Sequence, residues 1–150
     1  MNNQEKSKLD IVGTGDVVIE AAPVIEVEPE QFEISHGNAL TVLIKHDYYS
    51  VDSIHGRELL GAFISALQAR KADIARIFVI DSGVKLLDSN NSLYNEFKEL
   101  FSEVPVITAC TESLENYGIS LSELPSNCET LDSREIAAAI LNAQGLITLE

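Results

Sequence analysis

The stretch Val104-Pro105-Val106-Ile107-Thr108-Ala109-Cys110-Thr111-Glu112-Ser113, continuing to Asn116-Tyr117-Gly118, decides the fold. Pro105 suits the first residue of a strand, where a missing N–H does least harm. Val106 and Ile107 supply the β-branched run of a strand covered on both faces. Thr111 is expected to cap a short helix whose first turn carries Glu112, an acid that suits the helix dipole. Cys110 therefore stands at a strand-to-helix junction. Unpaired N–H donors and a partial positive charge there favour a thiolate, and the neighbouring acids oppose it. Two readings of this residue stay open on sequence alone: a reactive thiol, or a small core hydrophobe.

Outward from this strand the pattern is regular. Leu40-Thr41-Val42-Leu43-Ile44 reads as a first buried strand and Ala75 to Ile80 as a second, with an amphipathic helix between them from Arg57 to Arg70. Leu93 to Phe101 repeats the helical period ahead of the Cys110 strand. Cys128 to Leu131 is a fourth short strand. Asp132 or Ser133 caps a helix running to about Gln144, with Glu135 as part of a partial capping box and Gly145 expected to end it. Leu146 to Leu149 is the last strand. Strands alternating with helices mean βαβ units with right-handed crossovers. The expected fold is α/β: a three-layer, doubly wound, mostly parallel five-stranded sheet with ligands gathering at the carboxyl ends of the strands.

Composition narrows the function. The chain has 150 residues, 10 Lys and Arg against 24 Asp and Glu, and a net charge of -14, which excludes a phosphate-binding surface for nucleic acid or an anionic membrane. No run approaches the roughly 20 apolar residues of a membrane span, and no apolar leader segment follows Met1. Two cysteines without finger spacing point to a reducing cytoplasm with free thiols. Residues 1–37 differ from the rest. They carry eight acids and two bases, hence a net -6, with Pro23 and Pro29 as breakers. They read as an acidic N-terminal tail, either flexible or an arm whose Val17-Val18-Ile19 and Val24-Ile25 patches add to a sheet edge. Residues 38–150 form the folded domain.

Three strand-end loops could carry chemistry. The first holds His46, Asp47, Tyr48, Tyr49, Asp52 and His55. Its nine-residue His–His separation matches no metal motif, and no metal is expected; His46 instead suits a thiolate partner. The second is Asp81-Ser82-Gly83-Val84-Lys85, where Gly83 suits a tight turn and Lys85 is a rare cation. It has no nucleotide-binding glycine pattern, and no cofactor is expected. The third is Cys110 with Thr111, Ser113 and Tyr117. Cys128 is read as packing. No Ser–His–acid order or nucleophile elbow supports a hydrolase.

The residues Gly56-Arg57, Leu60, Phe63-Ile64 and Leu67, then Ser82-Gly83-Val84-Lys85-Leu86, then Cys110 followed by Tyr117-Gly118, resemble the DsrE-type sulfur-relay family over about residues 40–149. Within it, the C-terminal domain of YedF-type selenium-metabolism proteins is the nearest pattern. The resemblance implies a flavodoxin-like topology, a homo-oligomer, and Cys110 as a persulfide carrier between sulfur-donor and sulfur-acceptor proteins. His46, Ser82, Gly83, Lys85, Thr111, Ser113 and Tyr117 would form the site rim. The relatives carry Cys-Gly-Thr-Cys where this chain has Cys110-Thr111-Glu112-Ser113, so a dithiol mechanism is not expected. Their TusA-like N-terminal domain is replaced by the acidic tail. The alternative is a non-catalytic interaction module that keeps the fold without the relay chemistry.

Overall fold

A computed structural model describes residues 40–150. The tail and arm readings of residues 1–37 fall outside the described residues. Five strands, β1 (Leu40–Ile44), β2 (Ile74–Val79), β3 (Val106–Cys110), β4 (Cys128–Leu131) and β5 (Leu146–Leu149), form one sheet in the order β4-β3-β2-β1-β5. All four pairings are parallel. Four α-helices connect them: α1 (Ile54–Gln68), α2 (Tyr94–Phe101), α3 (Thr111–Asn116) and α4 (Ser133–Leu141). The strand order follows from chain direction. β1 to β4 step one way across the sheet, so right-handed crossovers put α1, α2 and α3 on one face. The return from β4 to β5 steps the other way and puts α4 on the opposite face. The order differs from flavodoxin's 2-1-3-4-5 in the strand that flanks β1, while the two-faced winding is shared.

Strand alternation divides the interior accordingly. Val42, Ile44, Ile77, Val79, Ile107 and Ala109 point to the α1–α3 face and join a cluster of 21 buried apolar residues. Leu43, Phe78 and Cys110 point the other way and, among the described residues, meet only Ile136 of α4 as a buried partner. Thr108, fully buried on that thin face, donates its hydroxyl to Glu129 Oε2 at 2.8 Å, so the polar group is not left unpaired.

Local chemistry explains the element ends and three departures from expectation. Helix α1 starts three residues before the expected Arg57, because Ser53 Oγ accepts the Gly56 amide at 2.9 Å and caps it. A Cβ at Gly56 would lie 1.9 Å from the Val51 carbonyl oxygen, so only glycine fits in that first turn. Cys110, not Thr111, is the N-cap of α3; the Thr111 hydroxyl donates to the Leu131 carbonyl and ties β3 to β4. Helix α4 ends at Leu141, well short of Gly145, which takes a positive φ in the turn before β5. Its start matches expectation, with Asp132 and Glu135 forming a complete capping box. After α3, Gly118 (φ 69°) donates to the Glu115 carbonyl and Ile119 to that of Leu114, a Schellman ending that buries Ile119 against Leu114.

Candidate functional site

The sheet has one point where neighbouring connections diverge. The chain leaves β3 towards the α1–α3 face and leaves β4 towards the α4 face, which opens a crevice at their carboxyl ends. Cys110 is the last residue of β3, and its side chain faces the crevice. A cavity of about 370 Å³ lies there, lined by Cys110, Ile80, Asp81, Ser113, Ser133 and Ile136, with Ala137 and Ile140 of α4 behind them. Cys110 itself is 5% exposed and free of any disulfide. The floor is apolar, and the polar groups gather at the mouth.

The thiol's surroundings differ from the expected cationic setting. Cys110 makes no capping bond to α3. Its Sγ donates to Glu112 Oε1 over 3.6 Å and lies 3.8 Å from Ser133 Oγ. The same Glu112 oxygen accepts the Ser133 amide at 2.9 Å. Hydrogen bonds from its own backbone amide and from Ser133 hold the Glu112 carboxyl below the usual carboxylate range. The sulfur thus faces an anion and a hydroxyl.

The remaining rim residues form a separate network on the far side of Asp81. Asp81 adopts a left-handed φ of 48°, which costs a non-glycine residue strain unless its surroundings fix it. They do: the Asp81 amide donates to Ser113 Oγ at 2.8 Å, and the Tyr117 hydroxyl donates to Asp81 Oδ1 at 3.1 Å. Desolvation, and then the Asp81 carboxylate, push the Tyr117 phenol up, so it remains a proton donor at neutral pH. His46 Nδ1 lies 3.1 Å from Ser82 Oγ and 3.7 Å from Asp81 Oδ2, and its ring stacks on Tyr48 at 4.7 Å. Lys85 Nζ sits 3.6 Å from the buried Asp47 carboxylate, which also accepts from Asn91, and 5.4 Å over the Tyr117 ring.

Of the expected rim, the crevice therefore contains Cys110 and Ser113. His46, Ser82, Lys85 and Tyr117 are joined to it through Asp81. Thr111 braces β4. Gly83 is structural, because a Cβ there would lie 2.4 Å from the Ile44 carbonyl oxygen. Asp81, named in the second loop, and Ser133, a capping candidate, line the crevice, and Glu112 bonds the thiol; sequence spacing alone does not bring the three together. Glu112 is legible as a helix acid two residues from the cysteine, but its reach to Ser133 is not. Cys128 starts β4, at the other end of the sheet from the crevice, and packs against the α1–α3 core. Burial, with help from Glu129, pushes its thiol up to about 11. Among the described residues no cluster of His, Cys, Asp and Glu could hold a metal ion, and no helix is long and apolar enough to cross a membrane.

A doubly wound α/β domain with a thiol at its switch point is the class that fold and site define. Residues 38–149 match the DsrE/DsrF-like family, and the chain belongs to it. Solved structures agree on the fold. The YchN protein of E. coli superposes with a TM-score of 0.53 at 18% identity, over 73% of this chain and 99% of its own. MTH1491 of Methanobacterium thermoautotrophicum, described as a protein of unknown function, gives 0.52 at 17% identity, over 73% and 96%. No curated protein matches the chain in sequence.

Proposed function

We propose that this chain is a sulfur carrier in which Cys110 accepts a sulfane sulfur as a persulfide and passes it on. The observation that carries the reading is a free thiol at the switch point of a DsrE/DsrF-like domain, facing an apolar cavity with hydroxyls at its mouth. In the transfer step the Cys110 thiolate attacks the outer sulfur of a donor persulfide. The new S–S bond forms at Cys110, the donor's S–S bond breaks, and the donor sulfur leaves as its thiolate with no net oxidation. The apolar floor formed by Ile80, Ile136 and Ile140 limits water at the outer sulfur. One cysteine suffices. Ser113, in the place of the relatives' second thiol, spends its hydroxyl on the Asp81 amide and fixes the loop instead. Donor and acceptor proteins, self-association and a reducing cytoplasm belong to this reading.

The test is intact-mass analysis after incubation with a persulfide donor. Gain of one sulfur atom, abolished by Cys110→Ser and reversed by reductant, is the expected result. A native protein that never gains sulfur at Cys110 overturns it. That outcome favours a second reading, a non-catalytic interaction module, for which the carboxylate 3.6 Å from the sulfur is the specific support.

A further inference from the structure

Helix α4 begins beside the thiol, and the first-turn N–H groups of a helix are a ready site for an anion. Here the chain's own carboxylates take two of them. Asp132 Oδ1 accepts the Glu135 amide at 2.8 Å, and Glu112, from 21 residues earlier, accepts the Ser133 amide at 2.9 Å. The Glu112 oxygen that does so also faces Cys110 Sγ. Among the described residues no Lys, Arg or His lines the cavity, and Asp81 is its one charged lining residue. The neighbouring network is committed elsewhere: Lys85 pairs with Asp47, and the His46 ring lies against Ser82 and Asp81. Arg134, next to Ser133, is exposed and outside the lining.

We propose that Glu112 is a specificity-determining charge gate on Cys110, which admits neutral or cationic sulfur carriers and turns away small anionic donors of the thiosulfate type. An anionic donor would approach the sulfur against the Glu112 carboxylate, which also takes the Ser133 amide at the start of α4 and is held below the usual carboxylate range. With thiosulfate, the Cys110 thiolate would attack the sulfane sulfur and sulfite would leave with the electron pair of the broken S–S bond. Reactant and leaving group are then both dianions beside Glu112. A persulfide on an uncharged stretch of polypeptide meets no such repulsion. The choice of physiological donor rests on the carrier reading above; the charge selectivity is a property of the thiol site and stands without it.

Iodoacetamide and iodoacetate test this directly. Both alkylate a thiolate by the same displacement, forming a C–S bond and releasing iodide, and they differ in charge. Site-resolved mass spectrometry follows Cys110 apart from Cys128. In the native protein the amide-to-acetate rate ratio at Cys110 should exceed the ratio in the denatured chain. Glu112→Gln, whose amide oxygen can still accept the Ser133 N–H, should lower that ratio by about threefold or more, the scale of one nearby charge in a wet crevice. Glu115→Gln, an exposed change of equal charge on the same helix, should leave the ratio unaltered. The gate is overturned by an unchanged ratio in Glu112→Gln, by both reagents changing by one common factor, or by the same shift in Glu115→Gln. A native Cys110 that neither reagent reaches overturns it as well. Failure of the carrier reading looks different: no sulfur adduct, with the charge selectivity intact.

Discussion

The two faces of the sheet are built on different terms. On one face three helices cover 21 buried apolar residues, including Phe97, Leu60, Ile64 and Ile77. On the other, among the described residues, a single nine-residue helix packs on a cluster of four, its own Ile136 included, and Leu141 on that helix is 85% exposed. Cys110 belongs to the thin face. The thick face therefore carries most of the buried apolar core, and the thin face leaves a crevice beside the thiol.

Paired truncations sharpen this contrast most. Phe97→Ala on the thick face should cost about 3–5 kcal/mol, the usual range for a fully buried aromatic. Ile136→Ala on the thin face should fall near or below the low end of about 2 kcal/mol for a buried aliphatic, since the crevice already leaves space beside it. Urea denaturation measures both, and equal losses would break the comparison. Next in size is the polar anchoring of α4. With so little apolar contact, that helix leans on its capping box, and Asp132→Ala should cost about 1 kcal/mol in the same assay. It should also speed alkylation of Cys110, because Ser133 and Ile136 line the crevice just beyond the cap.

The smallest effect at neutral pH concerns the thick face's own cysteine. Cys128 is raised from 9.0 to about 11, so its neutral form is favoured in the fold. The linked stability is fully present below pH 9 and is lost as pH rises towards 11. Cys128→Ala should flatten that alkaline decline in a pH series of melting curves, and an undiminished slope would assign it to another group.

Most of the fold is legible in the chain because its signals are local. Leu40–Ile44, Ile74–Val79 and Val106–Cys110 are mainly apolar runs, interrupted only by Thr41, Arg76 and Thr108, and the helices between them keep a 3.6-residue period. The ends are less legible where backbone proximity decides. α1 absorbs Gly56, a residue that discourages helices, because a carbonyl lies where a Cβ would be. The strand-end position of Cys110 is likewise readable. Its partners are not: Ser133 is 23 residues away and Asp81 is 29 back. Lys85 and His46, readable as cations for a thiolate, pair instead with Asp47, Ser82 and Asp81, a choice made by distances that spacing does not encode.

By itself, then, the sequence determined the five strands, the four helices, the family pattern and the single thiol at the end of β3. Those depend on periodicity and on residues close together in the chain. Only the tertiary structure decided what that thiol faces. Right-handed crossovers place β4 beside β3 and send α4 to the opposite face, and this brings Glu112 and the Ser133 amide together over Cys110. The electrostatic character of the site is a product of strand order, because charges act through space and chain spacing does not report the distance.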